Sequence, residues 1–128
     1  MAGKMVILDS CIVIELQRGN SNIIEEVYKF EQQDIFVTPI VIAEFYRGAK
    51  DKSEFAKCRK LIEKFGVLSI NDGVVSHFSG IFDTFSLSHR PSIPDMLIAA
   101  TALHYGMELF TLNKKDFQFI PALKLHTF

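Results

Sequence analysis

Three carboxylates, Asp9, Glu44 and Asp95, stand where a folding chain has poor reason to put charge, and a fourth, Asp116, lies just past a strand end. Asp9 ends the apolar run Met5-Val6-Ile7-Leu8, and Asp95 follows Pro94 to open Met96-Leu97-Ile98-Ala99-Ala100. Glu44 is the only charge in Ile40-Val41-Ile42-Ala43-Glu44-Phe45, a helical stretch that otherwise reads as buried. Asp116 lies three residues beyond Asn113, where another apolar run ends. Burying an ionised carboxylate costs on the order of several kcal/mol unless it is paired or bound to a cation. Taken singly, each acid has a plain structural reading. Asp9 caps the helix after it, Asp95 satisfies amides and the helix dipole, Glu44 pairs with Arg47, and Asp116 caps the last turn. Brought together they repel one another, and cations must offset that repulsion. Oxygen donors without a cysteine or histidine cluster favour Mg2+ or Mn2+ over zinc.

Other chemistries lack their residues. His77, His89, His104 and His126 show no HExxH or other ligand spacing and read as structural or exposed. There is no GxxxxGK[ST] or GxGxxG phosphate cradle and no GxSxG nucleophile elbow. Cys11 and Cys58 lack a CxxC spacing and read as buried thiols of a reduced cytosolic protein. A near-neutral net charge of −1 hides an uneven distribution. Residues 1–34 carry three basic and six acidic side chains, whereas residues 47–64 carry seven basic and three acidic. That basic block suits either a polyanion or a solvated helix face with its own ion pairs.

The elements that would position the acids follow from the patterning. Met5–Leu8 reads as a strand buried on both faces, followed by a helix over 11–18 that Gly19-Asn20 closes. A second helix is expected over 21–33 with Ser21 as its N-cap, then a strand over 34–37. Thr38-Pro39 starts a helix running to about Ala49, with Thr as cap and Pro at the first position. Another helix is expected over 53–65, then a strand over 67–70. Asn71-Asp72 caps a helix bearing Phe78, Ile81, Phe82 and Phe85 at helical spacing, and residues 88–92 form a loop. The Asp95 helix ends at Tyr105-Gly106, before a strand over 108–112 and a short fifth strand over 123–127. Strands alternating with helices imply an α/β three-layer sandwich with a mainly parallel sheet of about five strands. Ligands in such sheets bind beyond the carboxyl ends of the strands, the layer in which Asp9, Asp95 and Asp116 fall.

These residues resemble the PIN-domain ribonucleases, and among them the small VapC-type toxins of toxin–antitoxin pairs. The resemblance runs over nearly the whole chain in four motifs: "ILDSCIVIELQRGN", "VTPIVIAEFYRGA", "IPDMLIAATALHYG" and "LFTLNKKDF". It makes Asp9, Glu44 and Asp95 the first three acids, with Ser10, Thr111 and Asn113 in support. Many relatives carry Asp where this chain has Asn113 and a further acid where it has Asp116; Asn113 supplies no charge, so a second metal would depend on Asp116 or be weakly held. The resemblance implies an Mg2+- or Mn2+-dependent endoribonuclease, usually a homodimer held in check by a cognate antitoxin protein. Arg47 and Lys50 are the residues expected to steer the RNA backbone.

Two readings from other families lose their residues at once. A receiver domain needs an acid pair after its first strand, and a dehalogenase-type phosphatase needs a second Asp two residues on; here Ser10 and Cys11 follow Asp9. Alternatives nearer the resemblance are a catalytically weak PIN-like module that binds RNA or a protein, and an RNA-processing or structure-specific DNA nuclease. Length and composition, with 48% hydrophobic residues and 12 Phe, suit a single folded domain over residues 1–128. No apolar run approaches the roughly 18 residues of a membrane span, and the amino terminus does not read as a signal peptide. A cytoplasmic protein is the expectation.

Overall fold

A computed structural model describes residues 4–128; Met1-Ala2-Gly3, part of the stretch read above for a signal peptide, lie outside the described residues. Among these residues four short strands, β1 (Val6–Leu8), β2 (Ile35–Val37), β3 (Gly66–Val67) and β4 (Glu108–Phe110), form one sheet in the order β3-β2-β1-β4. Every pairing is parallel, with Ile7 opposite Phe36 on one side and Leu109 on the other. Among the described residues six helices flank the sheet: α1 (Ser10–Arg18), α2 (Ser21–Val27), α3 (Pro39–Arg47), α4 (Lys52–Ile62), α5 (Asp72–His89) and α6 (Ile93–Tyr105). The expected α/β architecture with a parallel sheet holds. None of the helices among the described residues is long and apolar enough to cross a membrane.

The core lies where the sequence is most uniformly apolar. Val6, Ile7 and Leu8 are fully buried, as are Ile98, Ala99 and Ala100 of α6. Several helix ends obey the residues that announced them. Thr38 caps α3 by accepting from the Val41 amide at 3.2 Å, and Asn71 caps α5 by accepting from the Val74 amide at 3.0 Å. Gly19 ends α1 in the left-handed conformation (φ 81°) that a residue with a Cβ adopts only at a cost.

Other expectations need correction. The fifth strand is reduced to one bridge, Leu109 to Leu125, because Pro121 and the left-handed Ala122 (φ 66°) turn the chain just before it. The third strand is two residues long, at Gly66–Val67 instead of 67–70. At Gly66 a Cβ would strike the Phe36 ring, so glycine is what lets β3 approach β2. The second helix stops at Val27, and its cap is Asn20, whose side chain accepts from the Asn22 and Ile23 amides. The loop expected to begin at Ser88 begins after His89, because α5 runs on to that residue.

The strand order changes direction at β1. The chain moves outward from β1 to β2 to β3, then returns to place β4 on the other side of β1. The crevice beyond the carboxyl ends of β1 and β4 is therefore the switch point at which such sheets hold ligands.

Candidate active site

Asp9 sits in that crevice, one residue past β1, and is only 3% exposed. It is the N-cap of α1, and its Oδ1 accepts from the Ser10 amide at 2.8 Å. Its Oδ2 accepts from the Thr111 hydroxyl at 2.7 Å and, at longer range, from the Cys11 thiol at 3.6 Å. Thr111 Oγ1 in turn accepts from the Asn113 amide (3.0 Å), and Cys11 Sγ from the Leu112 amide (3.4 Å). Two successive amides in the turn after β4 thus act through two side chains on one carboxylate oxygen. A carboxylate has about four acceptor positions, and this network leaves Oδ1 with room for another partner. Burial first, and the Asp9 charge second, push the Cys11 thiol up, so it keeps its proton and donates.

Asp95 lies in the first turn of α6, half-buried. The cap of that helix is Ser92, whose Oγ accepts from the Asp95 amide at 3.3 Å, so Asp95 is not placed there to cap. Burial pushes its carboxyl up to about 6, and the charges of Asp9, Asp116 and Glu44 push in the same direction, against the Ser92 side chain. All three other candidate acids therefore act on this one carboxylate.

Glu44 corrects an expectation. The buried residues of α3 are Val41 and Phe45, and Glu44 itself is exposed rather than a charge inside a buried helix. Partial desolvation still raises its carboxyl; the Ser10 side chain opposes that, the Asp9 charge adds to it, and Arg47 opposes it again. Ser10 thereby serves two acids, its amide holding Asp9 and its side chain facing Glu44. Among the described residues Glu44 forms no ion pair with Arg47. Asp116 is exposed inside a short 3-10 turn, Lys114–Asp116, that follows Asn113. Neither it nor Asn113 makes a side-chain cap there. Asp95 and Asp116 line one cavity of about 360 Å³, together with Arg90 and Lys115. Arg47 stays near Glu44 on the exposed side of α3, whereas Lys50 lines a separate depression with Phe55.

Cys11, Ser92, Arg90 and Lys115 were not read as site residues from sequence. Ser92 had a signal, since a serine three residues before an acid at a helix start is a capping-box spacing. Cys11 had none, because its contacts to Thr111 and Leu112 span 100 residues or more.

The donor set suits a hard divalent cation. It is all oxygen, and it carries a mutual repulsion that a cation would relieve. Among the described residues no three acids, histidines or cysteines are gathered closely enough to hold an ion by themselves. Mg2+ keeps several waters and commonly takes only one or two protein carboxylates, so a wide ring of acids is compatible with it.

Residues 6–122 match the family model of the PIN domain. The chain is 32% identical over 130 residues to Ribonuclease VapC of Rickettsia bellii, with 95% of each chain covered. Its fold is similar to that in the crystal structure of DNA-bound VapBC from Salmonella typhimurium, with a TM-score of 0.86 at 21% identity over 96% of this chain and 97% of that one. A structure of VapBC-1 from nontypeable Haemophilus influenzae matches with a TM-score of 0.83 at 27% identity, over 95% and 96% of the two chains. Four motifs in order, a parallel sheet with its acids at the switch point, and kinship over almost the full length agree: this chain belongs to the PIN-domain family, on its VapC-type ribonuclease branch.

Proposed function

We propose that this chain is a divalent-metal-dependent endoribonuclease and the toxin of a toxin–antitoxin pair, with Asp9, Glu44, Asp95 and Asp116 as its metal-holding acids. The observation that carries the reading is the action of three other carboxylates on half-buried Asp95. Such an arrangement costs stability in the free protein, and a bound cation offsets that cost. Bound Mg2+ or Mn2+ supplies a water of lowered pKa and neutralises charge building on the phosphate. The chain's own part is orientation. Thr111 and Cys11 fix the Asp9 carboxylate, Ser92 fixes the start of α6 and with it Asp95, and the Ser10 amide holds the other Asp9 oxygen. No protein nucleophile is needed, and the protonated Cys11 thiol is not one.

Kinship to Ribonuclease VapC supports RNA as the substrate, and likeness to VapBC pairs supports an antitoxin partner. Leu87 (89% exposed) and Ile93 (61%) stand on either side of the loop leading to Asp95 and offer apolar surface to an antitoxin segment. A homodimer in the cytoplasm, with both thiols reduced, completes the reading. The decisive experiment adds Mg2+ or Mn2+ to demetallated protein free of antitoxin. Cleavage of RNA is expected to return with the metal, to vanish in EDTA, and to be lost in Glu44→Gln without loss of the fold. Undiminished cleavage by demetallated protein, or by Glu44→Gln, contradicts the proposal.

A further inference from the structure

The cavity of about 360 Å³ that holds Asp95 and Asp116 has a second wall. His89 is stacked on Phe119 with ring centroids 4.3 Å apart and planes 16° from parallel, and Phe85 abuts both rings edge-on at 5.3 and 5.1 Å. His89 is exposed and Phe119 is half-buried, so one face of the imidazole is covered and the ring remains accessible from the other. The Ser88 hydroxyl lies 2.8 Å from His89 Nδ1 and steadies the ring.

Beside this platform stand two cations. Arg90 closes α5 in the left-handed region (φ 45°, ψ 56°), a conformation usually left to glycine or asparagine. That sharp reversal brings Arg90 into the same cavity as Asp95, five residues on. Lys115 enters from the turn after β4, next to Asp116. Among the described residues neither cation forms an ion pair, although two carboxylates line the same cavity. A site that combines unpaired cations with a half-covered aromatic face matches one nucleotide of a single strand, in which the base is free to stack and the phosphate needs a counter-charge. The volume lies at the lower end of the roughly 300–1,000 Å³ of small-ligand sites, a size that suits one nucleotide.

We infer that His89, Phe119, Arg90 and Lys115 form a nucleotide subsite that seats one base and one phosphate of single-stranded RNA beside the acids. The inference rests on the nuclease reading and goes beyond it by placing the substrate strand on the α5–α6 turn, away from the basic block at Arg47 and Lys50.

The test uses decaadenylate RNA bearing one 2-aminopurine and a fluorescein end label, bound in EDTA and followed by anisotropy and by 2-aminopurine quenching. His89→Ala is expected to weaken binding about tenfold and abolish the quenching, while His89→Phe restores both. Arg90→Gln and Lys115→Gln are each expected to lower the slope of log affinity against log salt by about 0.7, and Lys50→Gln to leave it unchanged. Weakening by Lys50→Gln with no effect of the other variants overturns the subsite, as does His89→Phe behaving like His89→Ala. If the unaltered protein cleaves RNA with Mg2+ while these variants bind normally, the subsite alone fails. If it cleaves no RNA with either metal, the nuclease reading falls and takes the subsite with it.

Discussion

At Asp95 a half-buried charge works against the fold of the metal-free protein, and the sign can be worked out. The carboxyl's folded value of about 6 lies above its ordinary 3.8. A group raised in this way contributes stability that is fully present below pH 3.8 and is lost as pH rises through about 6. At pH 7 the metal-free protein therefore bears a cost, about 1 kcal/mol once solvent screening of a half-exposed carboxylate is allowed for. Asp95→Asn keeps the shape, and Ser92 still caps the helix. It is expected to raise metal-free stability at pH 7 by up to that amount, with the gain fading between pH 6 and 4, while metal affinity and cleavage are lost. Denaturation with and without Mg2+ at both pH values checks this; a loss of stability independent of metal, with normal cleavage, contradicts it. Thr111 makes the opposite case. Thr111→Val leaves the Asn113 amide and one buried Asp9 oxygen short of a partner, a loss of about 1–3 kcal/mol in denaturant titrations. Cys11→Ala removes two long sulfur contacts, its bond to Asp9 and its acceptance from the exposed Leu112 amide, and should cost less.

Among the elements, those announced by a cap or an unbroken apolar run were legible, and those shaped by distant partners were not. Thr38-Pro39 and Asn71 named their helices because capping is local chemistry. Thr38→Val keeps the volume but strands the buried Val41 amide; about 1–2 kcal/mol of stability should go with it, read as a lower melting temperature. A helix over 21–33 looked continuous because the apolar residues Ile23, Ile24, Val27 and Phe30 keep helical spacing. It ends at Val27 because Phe30 turns to meet the His126 ring edge-on at 5.2 Å, a contact 96 residues away that no local pattern records. The strand over 123–127 failed for a local reason instead, since Pro121 and left-handed Ala122 leave only Leu125 in register. The candidate site divides in the same way. Asp9, Glu44 and Asp95 stand out as charges in apolar company and Asp116 by its place past a strand end, whereas the α5–α6 turn carrying Arg90 depends on where two helices meet.

On the scale of the whole molecule, His126 closes the chain on itself. Its Nε2 lies 3.0 Å from Glu26 on α2 and its Nδ1 3.1 Å from Glu108 on β4, so an imidazole from the last residues stands between two carboxylates. Both ring nitrogens donate only when the ring is charged, and the ring also packs against Phe110 at 4.7 Å and Phe30 at 5.2 Å. Lys29 first and His126 second hold the Glu26 carboxyl below its ordinary range. A depressed carboxylate contributes stability above its unfolded value, and that contribution is lost as pH falls through the lower folded one. His126→Ala removes the ring from between the two acids and opens space beside two aromatic rings. A loss of about 2 kcal/mol is expected at pH 7, or roughly 5–10 °C in melting temperature for a chain of this size. Because Asp9, Thr111 and Asp95 are held by other contacts, RNA cleavage well below the melting temperature should survive. Glu26→Gln together with Glu108→Gln removes the carboxylate repulsion and should recover part of the loss in a double-mutant cycle. An unchanged melting temperature for His126→Ala would mean that the carboxyl-terminal segment is held by Leu125 and Phe128 alone.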